Sequence, residues 1–333
     1  GVCLLHSLPI LWCCDGKQVM VLTGTVECRL DSASDLASLL NALTLRDKER
    51  KDQRVICEAS ENGLKFTAQS AGKDVTILGW IFKDAFTEYT FDGSGEEHLY
   101  FKLPVAPLLS CLNIFTERAV LVMRFPAGAH ELRFSLEEDG ATTECRLRTL
   151  LMDEAPVPIT FLAPSERPSI FRAKQPEIWH AALSEFQELE APDVALKVTF
   201  RPANAATPDA PLVTLRANTI GSDAEVELPQ SGLEDVELAQ HAAAAGEITH
   251  SYLLSSVLAG CLKAAKESRG LKVRFNQEGV MSNQFILKSR GRQLLCEALI
   301  CPMAEQEAAG NRHSVGGGGN ANMQSIAGES IGF

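Results

Sequence analysis

The sequence predicts an α+β protein built from two tandem copies of one domain, each with two helices packed on antiparallel sheets. Three observations carry this. The first is the stretch 251–302, one helix followed by three strands. Leu254, Val257, Leu258, Cys261 and Leu262 share one face of a helix over 252–266. The period then drops to strands in LKVRF (271–275), NQFILK (283–288) and QLLCEALIC (293–301), with SRGR (289–292) as a turn. The second observation is that the same paragraph occurs earlier. PVAPLLSCLNIF (104–115), with Val105, Leu108, Leu109 and Leu112 on one face, precedes AVLVMRF, ELRFSLEEDG and TTECRLRT. Phe125 falls 150 positions before Phe275, and Gly140 and Cys145 fall 151 before Gly291 and Cys296. The third is that the first halves also correspond. VECRLDSASDLASLLNAL (26–43) and SIFRAKQPEIWHAALSEF (169–186) are each a strand end, a polar turn and an amphipathic helix.

At 333 residues the chain can hold two such domains, each burying its own core. An apolar extension (1–18), broken by Pro9 and lacking a basic leader, is read as neither signal peptide nor membrane span. The first domain (19–150) opens with a strand over 19–30. Asp31 or Ser32 can cap the next helix, which buries Leu36, Leu39, Leu40 and Leu43 and turns Asp35, Ser38 and Asn41 outward. RDKERKDQR (46–54) is a mixed-charge run: a solvated helix end or loop, or a phosphate contact through Arg46 and Lys48. RVICEAS, GLKFTAQ and DVTILGWIF are strands with Asn62-Gly63 as a hairpin turn, and EYTFD and HLYFKL follow around Gly93 to Gly95. A connector (151–168) carries four prolines, which keep it extended. The second domain (169–303) starts with SIFRAK. Its first helix has Pro176 in the first turn and buries Trp179, Ala182, Leu183 and Phe186. Short, charged AEVEL (224–228) has the character of an edge strand. The polar tail (304–333), with glycines at 316–319, is expected to be disordered.

A net charge of −12 argues against coating nucleic acid with the whole surface, but leaves room for one local basic lining. The ten cysteines show no C-x-x-C pair and the seven histidines neither H-x-H nor H-E-x-x-H, so no metal site or other cofactor is expected. No P-loop, G-x-S-x-G or G-x-G-x-x-G is present. Asp223-x-Glu225 and Asp235-x-Glu237 have the carboxylate spacing of two-metal nucleases without further acidic partners, so no catalytic residues are assigned.

In order and separation these motifs resemble a known family. DLASLLNAL, ENGLKFT, IFKDAFTEYTF running on through FKLPVAPLLSCLNIF, SLEEDGATTECRLRT, VRFNQEGVMSNQFIL and CEALICP look like the sliding-clamp fold of proliferating cell nuclear antigen (PCNA). Within that fold they are most similar to the Rad-one family of the nine-one-one checkpoint clamp. The resemblance implies a non-enzymatic, nuclear ring subunit around duplex DNA, with helices lining the hole. Rad-nine-like and Hus-one-like subunits would complete the heterotrimer, a clamp loader would open it, and checkpoint and repair factors would be recruited. A divergent homotrimeric replicative clamp is the alternative, and a 3′ to 5′ exonuclease a more distant one. By the same resemblance, subunits would join through Thr142, Thr143, Glu144, Cys145, Arg146, Leu147 and Arg148 on one edge. The other edge would be Ala224, Glu225, Val226, Glu227 and Leu228. Val157, Ile159 and Phe161, with Leu64, Ile300 and Pro302, would frame a groove for a partner peptide. On the last helix, Tyr252, Ser256, Ala259, Lys263 and Lys266 form a stripe opposite the leucines. Its lysines suit the negative helix end, and in a clamp would meet phosphates.

Overall fold

One order of elements is used twice. In the computed structural model the described residues are 11–12, 18–19, 24–45, 53–114, 118–126, 130–150, 152, 159–163, 166–189, 193–201, 211–239, 246–289 and 293–304. β1 (Leu11–Trp12) and β2 (Gln18–Val19) pair only with each other. The first half runs β3 (Thr25–Leu30), α1 (Ala33–Ala42), β4 (Arg54–Ser60), β5 (Gly63–Gln69), β6 (Val75–Phe82), β7 (Glu88–Asp92), β8 (His98–Pro104), α2 (Val105–Leu112), β9 (Val120–Phe125), β10 (Glu131–Glu138) and β11 (Ala141–Arg148). The second half runs β12 (Ser169–Ala173), α3 (Glu177–Ser184), β13 (Ala195–Phe200), β14 (Val213–Asn218), β15 (Asp223–Leu228), β16 (Leu233–Glu237), β17 (Ile248–Leu253), α4 (Leu254–Lys266), β18 (Ser268–Phe275), β19 (Met281–Leu287) and β20 (Leu294–Ile300). Among the described residues each half is a strand, an α-helix, five strands, an α-helix and three strands.

The strands form three larger antiparallel sheets. One has the order β11-β10-β9-β3-β7, another β15-β14-β13-β17, and the central one β16-β12-β18-β19-β20-β6-β5-β4-β8. The central sheet crosses from one half to the other at a seam, where β20 pairs with β6 from Leu294↔Ile81 to Ile300↔Val75. Side-chain alternation puts Val75, Ile77, Ile81, Cys296, Ala298 and Ile300 inward, all at most 1% exposed. The hairpin between β4 and β5 turns on Glu61–Asn62 rather than the expected Asn62-Gly63. Ser60 pairs with Gly63, which starts β5 at φ 126°, a conformation that favours glycine.

The four α-helices among the described residues pack in the order α2, α1, α4, α3. α1 buries Leu36, Leu39, Leu40 and Leu43, as its spacing predicts. Asp35, expected on its outer face, is 8% exposed. Neither expected cap is made, since Ser32 gives no side-chain cap and Asp31 instead accepts a hydrogen bond from the Thr87 hydroxyl at 2.7 Å. α1 lies hard on β6, where a Cβ on Gly79 would stand 2.8 Å from Leu39 Cδ1. The chain leaving α1 is tied off by Gln53, which donates to the Leu43 carbonyl at 2.8 Å and accepts from the Leu45 N–H at 2.9 Å. In the second half Phe171, Phe200, Phe275 and Trp179 form one aromatic cluster.

Asp74, just before β6, ties the start of α4 to the seam. Its carboxylate accepts hydrogen bonds from Ser256 of α4 and from Ser70. Its carbonyl takes the Cys301 N–H at 2.9 Å. Burial alone would raise this carboxyl, but the Ser256 and Ser70 hydroxyls and the backbone N–H groups of Asp74 and Val75 outweigh it and hold the pKa below the usual range. The native pKa is therefore below the unfolded one. Its contribution is complete above the unfolded pKa and is lost as pH falls through the native pKa. Asp74→Asn is expected to cost about 1 kcal/mol at pH 7, solvent screening included. In urea titrations the gap between wild type and variant should narrow as the pH falls below the ordinary aspartate range of about 3.9.

Candidate assembly edges and nucleic-acid face

β11 and β15 are the outermost strands of their sheets, and neither has a strand on its open side among the described residues. Alternation gives each edge two faces. On β11 Thr143, Cys145 and Leu147 point inward and are half-buried, while Thr142, Glu144, Arg146 and Arg148 are exposed. On β15 Ala224 and Val226 are half-buried, Leu228 is buried, and Asp223, Glu225 and Glu227 are exposed. Glu225 lies 3.6 Å from Arg216 of the neighbouring strand. One edge thus shows two arginines and the other three carboxylates, each row standing beside a strip of small or apolar side chains.

The two halves can be laid over one another by their element order. β20 then corresponds to β11 and β6 to β15. The seam β20·β6 is therefore the same kind of junction that β11 and β15 leave unmade at the two ends of the chain.

The helical face is less basic than the predicted stripe implied. Tyr252 belongs to β17 rather than to the helix, is fully buried, and donates to the Gly279 carbonyl at 2.7 Å. Ser256 is 4% exposed because it faces Asp74. The less buried line of α4 is instead Ser255, Ala259, Leu262 and Lys266. Lys263 reaches across the seam to the end of α1, donating to Thr44 Oγ1 at 2.9 Å and to the Leu45 carbonyl at 3.2 Å. It thereby neutralises the carbonyl end of α1 rather than of its own helix. Lys266 is exposed. α1 offers Ser34, Ser38 and Asn41, α2 offers Ser110, and α3 offers Glu177 and Ala181, with Glu185 just past its end. Arg46 and Lys48 lie outside the described residues.

The anticipated peptide groove is split by strand parity. Leu64 (4% exposed) points into the first-half core beside Val26, Leu36 and Phe101, and Ile300 (fully buried) points under α4 near Gly260. Val157 lies outside the described residues, Ile159 is exposed, and Pro302 is half-buried. Phe161 does lie on the sheet, under the Arg274 guanidinium at 4.5 Å, with its carbonyl accepting from Asn276 Nδ2 at 2.9 Å.

A concavity lies elsewhere, on the outer face of the central sheet, the face away from the helices. It is a cleft of about 550 Å³ lined by Trp80, Phe82, Ile286 and Leu295 and by Arg172, Lys174, Arg269 and Lys272. The registers place Lys65, Trp80, Leu295, Ile286 and Gly270 side by side on five neighbouring strands, and Gly270 leaves the row open at one end. Phe82 is 40% exposed. The signal for this surface was in the sequence. ILGWIF and QLLCEALI are apolar at consecutive positions, so both sheet faces there are apolar, yet among the described residues no helix covers the outer one.

The two acidic pairs lie apart, Asp223 and Glu225 on β15 and Asp235 and Glu237 on β16, which belong to different sheets. Asp235 is paired with Arg172 at 3.2 Å. Among the described residues no group of three or more His, Cys, Asp or Glu side chains is placed to hold a metal, and no helix is long and apolar enough to cross a membrane.

Two halves of one topology, sheets on one side, four helices on the other and an open strand at each end define a PCNA-like sliding clamp. The chain is similar to the crystal structure of the PCNA2–PCNA3 complex from Sulfolobus tokodaii at 15% identity and a TM-score of 0.63, over 84% of this chain and 100% of that one. It is similar to PCNA from Entamoeba histolytica at 12% identity and a TM-score of 0.65, over 86% and 100%. At these identities the likeness speaks for the fold. The family follows from the sequence: residues 25–287 match the model of repair protein Rad1/Rec1/Rad17, and the chain belongs to that family of DNA-repair clamp proteins. No curated protein matches it by sequence.

Proposed function

We propose that this chain is a non-enzymatic subunit of a heterotrimeric checkpoint clamp, which encircles duplex DNA at damage sites in the nucleus and recruits signalling and repair factors. Its clamp domains would be 19–150 and 169–303, joined by 151–168. The observation that carries the reading is the seam. The chain already joins two clamp-type halves by pairing β20 with β6, and it leaves the equivalent strands β11 and β15 open at its ends. Repeating that junction between chains would extend the array, and closing it would make a ring. Family membership and a helical face with few cations support a ring whose grip on DNA is shared with other subunits. Rad-nine-like and Hus-one-like chains are the expected neighbours, and a checkpoint clamp loader opens the ring. Co-expression with those two subunits, followed by size-exclusion with light scattering, should yield a 1:1:1 particle. Failure of this chain to enter it would overturn the reading.

One observation favours a homotrimer as the second reading. Arg146 and Arg148 on one edge are complementary to Glu225 and Glu227 on the other. A particle of three copies of this chain, unaffected by the other two subunits, would select it.

The DNA contact gives a separate expectation. In the assembled ring Lys266→Ala should lower the salt slope of DNA retention by about one unit, uniformly across sequences. Lys263→Ala should leave that slope unchanged and lower the melting temperature, because it frees the end of α1.

A further inference from the structure

Seven cysteines lie among the described residues. Cys28, Cys57, Cys261 and Cys296 are buried, Cys301 is exposed on its own, and Cys111 and Cys145 are half-buried. The last two meet. Cys111 sits in the last turn of α2, which packs on β11, and Cys145 is the central inward residue of that strand, opposite Phe134 of β10. Their thiols are hydrogen-bonded to one another. The contact lies beside an open sheet edge, and both thiols are half-buried rather than enclosed in the core.

We propose that Cys111 and Cys145 form a redox staple: a hydroperoxide converts the pair to an intramolecular disulfide that fastens the open edge strand β11 to α2. In the first step the Cys111 sulfur attacks the peroxide, the O–O bond breaks, and a sulfenic acid and one water are formed. In the second the Cys145 sulfur displaces the sulfenic oxygen, forming the S–S bond and releasing a second water. The two thiols give up two electrons and two protons, and hydrogen peroxide is reduced to two waters. Burial, reinforced by the neighbouring Cys111, pushes the Cys145 thiol up, which suits it to the resolving role rather than the attacking one. The buried cysteines are enclosed in the core, and burial pushes their thiols up further.

A disulfide here ties a strand that has a neighbour on only one side to a helix of the same half. It should therefore suppress local fraying of β11. The test uses the full chain alone, so its outcome is independent of the ring reading. After treatment with hydrogen peroxide and blocking of free thiols, peptide mass spectrometry should find Cys111 linked to Cys145 with loss of two hydrogens, and Cys28, Cys57, Cys261 and Cys296 still reduced. Amide exchange over 141–148 should slow by roughly tenfold in the oxidised form and recover on reduction. Cys145→Ser should leave Cys111 as a sulfenic acid that dimedone traps, with no change of exchange in β11. Absence of the link in the folded chain, or a link that leaves exchange in β11 unchanged, would overturn the proposal.

Discussion

Proline in either open edge strand is expected to remove one neighbour from the ring while leaving the chain folded. In an antiparallel edge strand successive N–H groups point alternately to the ladder and to the open side. Of the neighbouring positions Thr143 and Glu144 on β11, one therefore donates to β10 and the other is free for a second subunit, and the same holds for Val226 and Glu227 on β15. Proline at the open-side position removes a donor that only assembly uses. Its cost should appear as on the order of 2–3 kcal/mol of lost association, roughly 30- to 150-fold in Kd, with an unchanged melting temperature. Proline at the adjacent position should instead destabilise the chain itself. Four single variants, each scored for co-purification with the partner subunits and for thermal stability, make the comparison. If both positions of a strand leave the complex intact, that strand is not an assembly edge.

The second large effect is expected at Arg274 and Glu297 on the outer face of the central sheet. Their side chains are 16% and 11% exposed, and Arg274 Nη2 donates to Glu297 Oε1 at 2.5 Å. Ser282 lies between them, its hydroxyl donating to Glu297 and accepting from Arg274 Nε at 3.2 Å. Phe161 covers the guanidinium. Glu297→Ala leaves a cation in a site built for a pair and is expected to cost about 3–5 kcal/mol, the range for breaking a buried ion pair from one side. Arg274→Met together with Glu297→Leu should recover most of that loss, because the pair's own desolvation penalty disappears with it. Urea unfolding of both variants tests this. A double variant no more stable than Glu297→Ala would show that the network holds the connector in a way apolar packing cannot replace.

Much of this architecture was legible locally. The leucines at 36, 39, 40 and 43 announce α1 by spacing alone, and the element order repeated because the two halves carry the same patterns. The β15 edge was legible too, since a short strand with charges at alternate positions is how open edges are built, whereas β11 was placed at an edge by the family resemblance alone. What stayed hidden depends on non-local partners. Nothing near VTILGWIF says that β6 pairs with a strand more than 200 residues on, and that pairing fixes which side chains of β20 face inward. Leu64 and Ile300 could therefore be placed at a surface groove by sequence when register turns both into the core. Lys263 had the look of a phosphate ligand because its true partners, Thr44 and Leu45, lie in the other half of the chain. Tyr252 was read one element too late, as helix rather than strand, since its spacing fits both.

The seam also has a mechanical meaning. Tension applied along the row of strands runs across the ladders, so at β6·β20 the load falls together on seven register pairs, on the α1–α4 contact and on the Lys263 bracket. At β11 and β15 a joint to another chain has to be assembled from separate molecules and can be taken apart again. Under strain the two halves of the chain are therefore expected to stay joined, and in the ring proposed above the joints between molecules would yield before the seam within one.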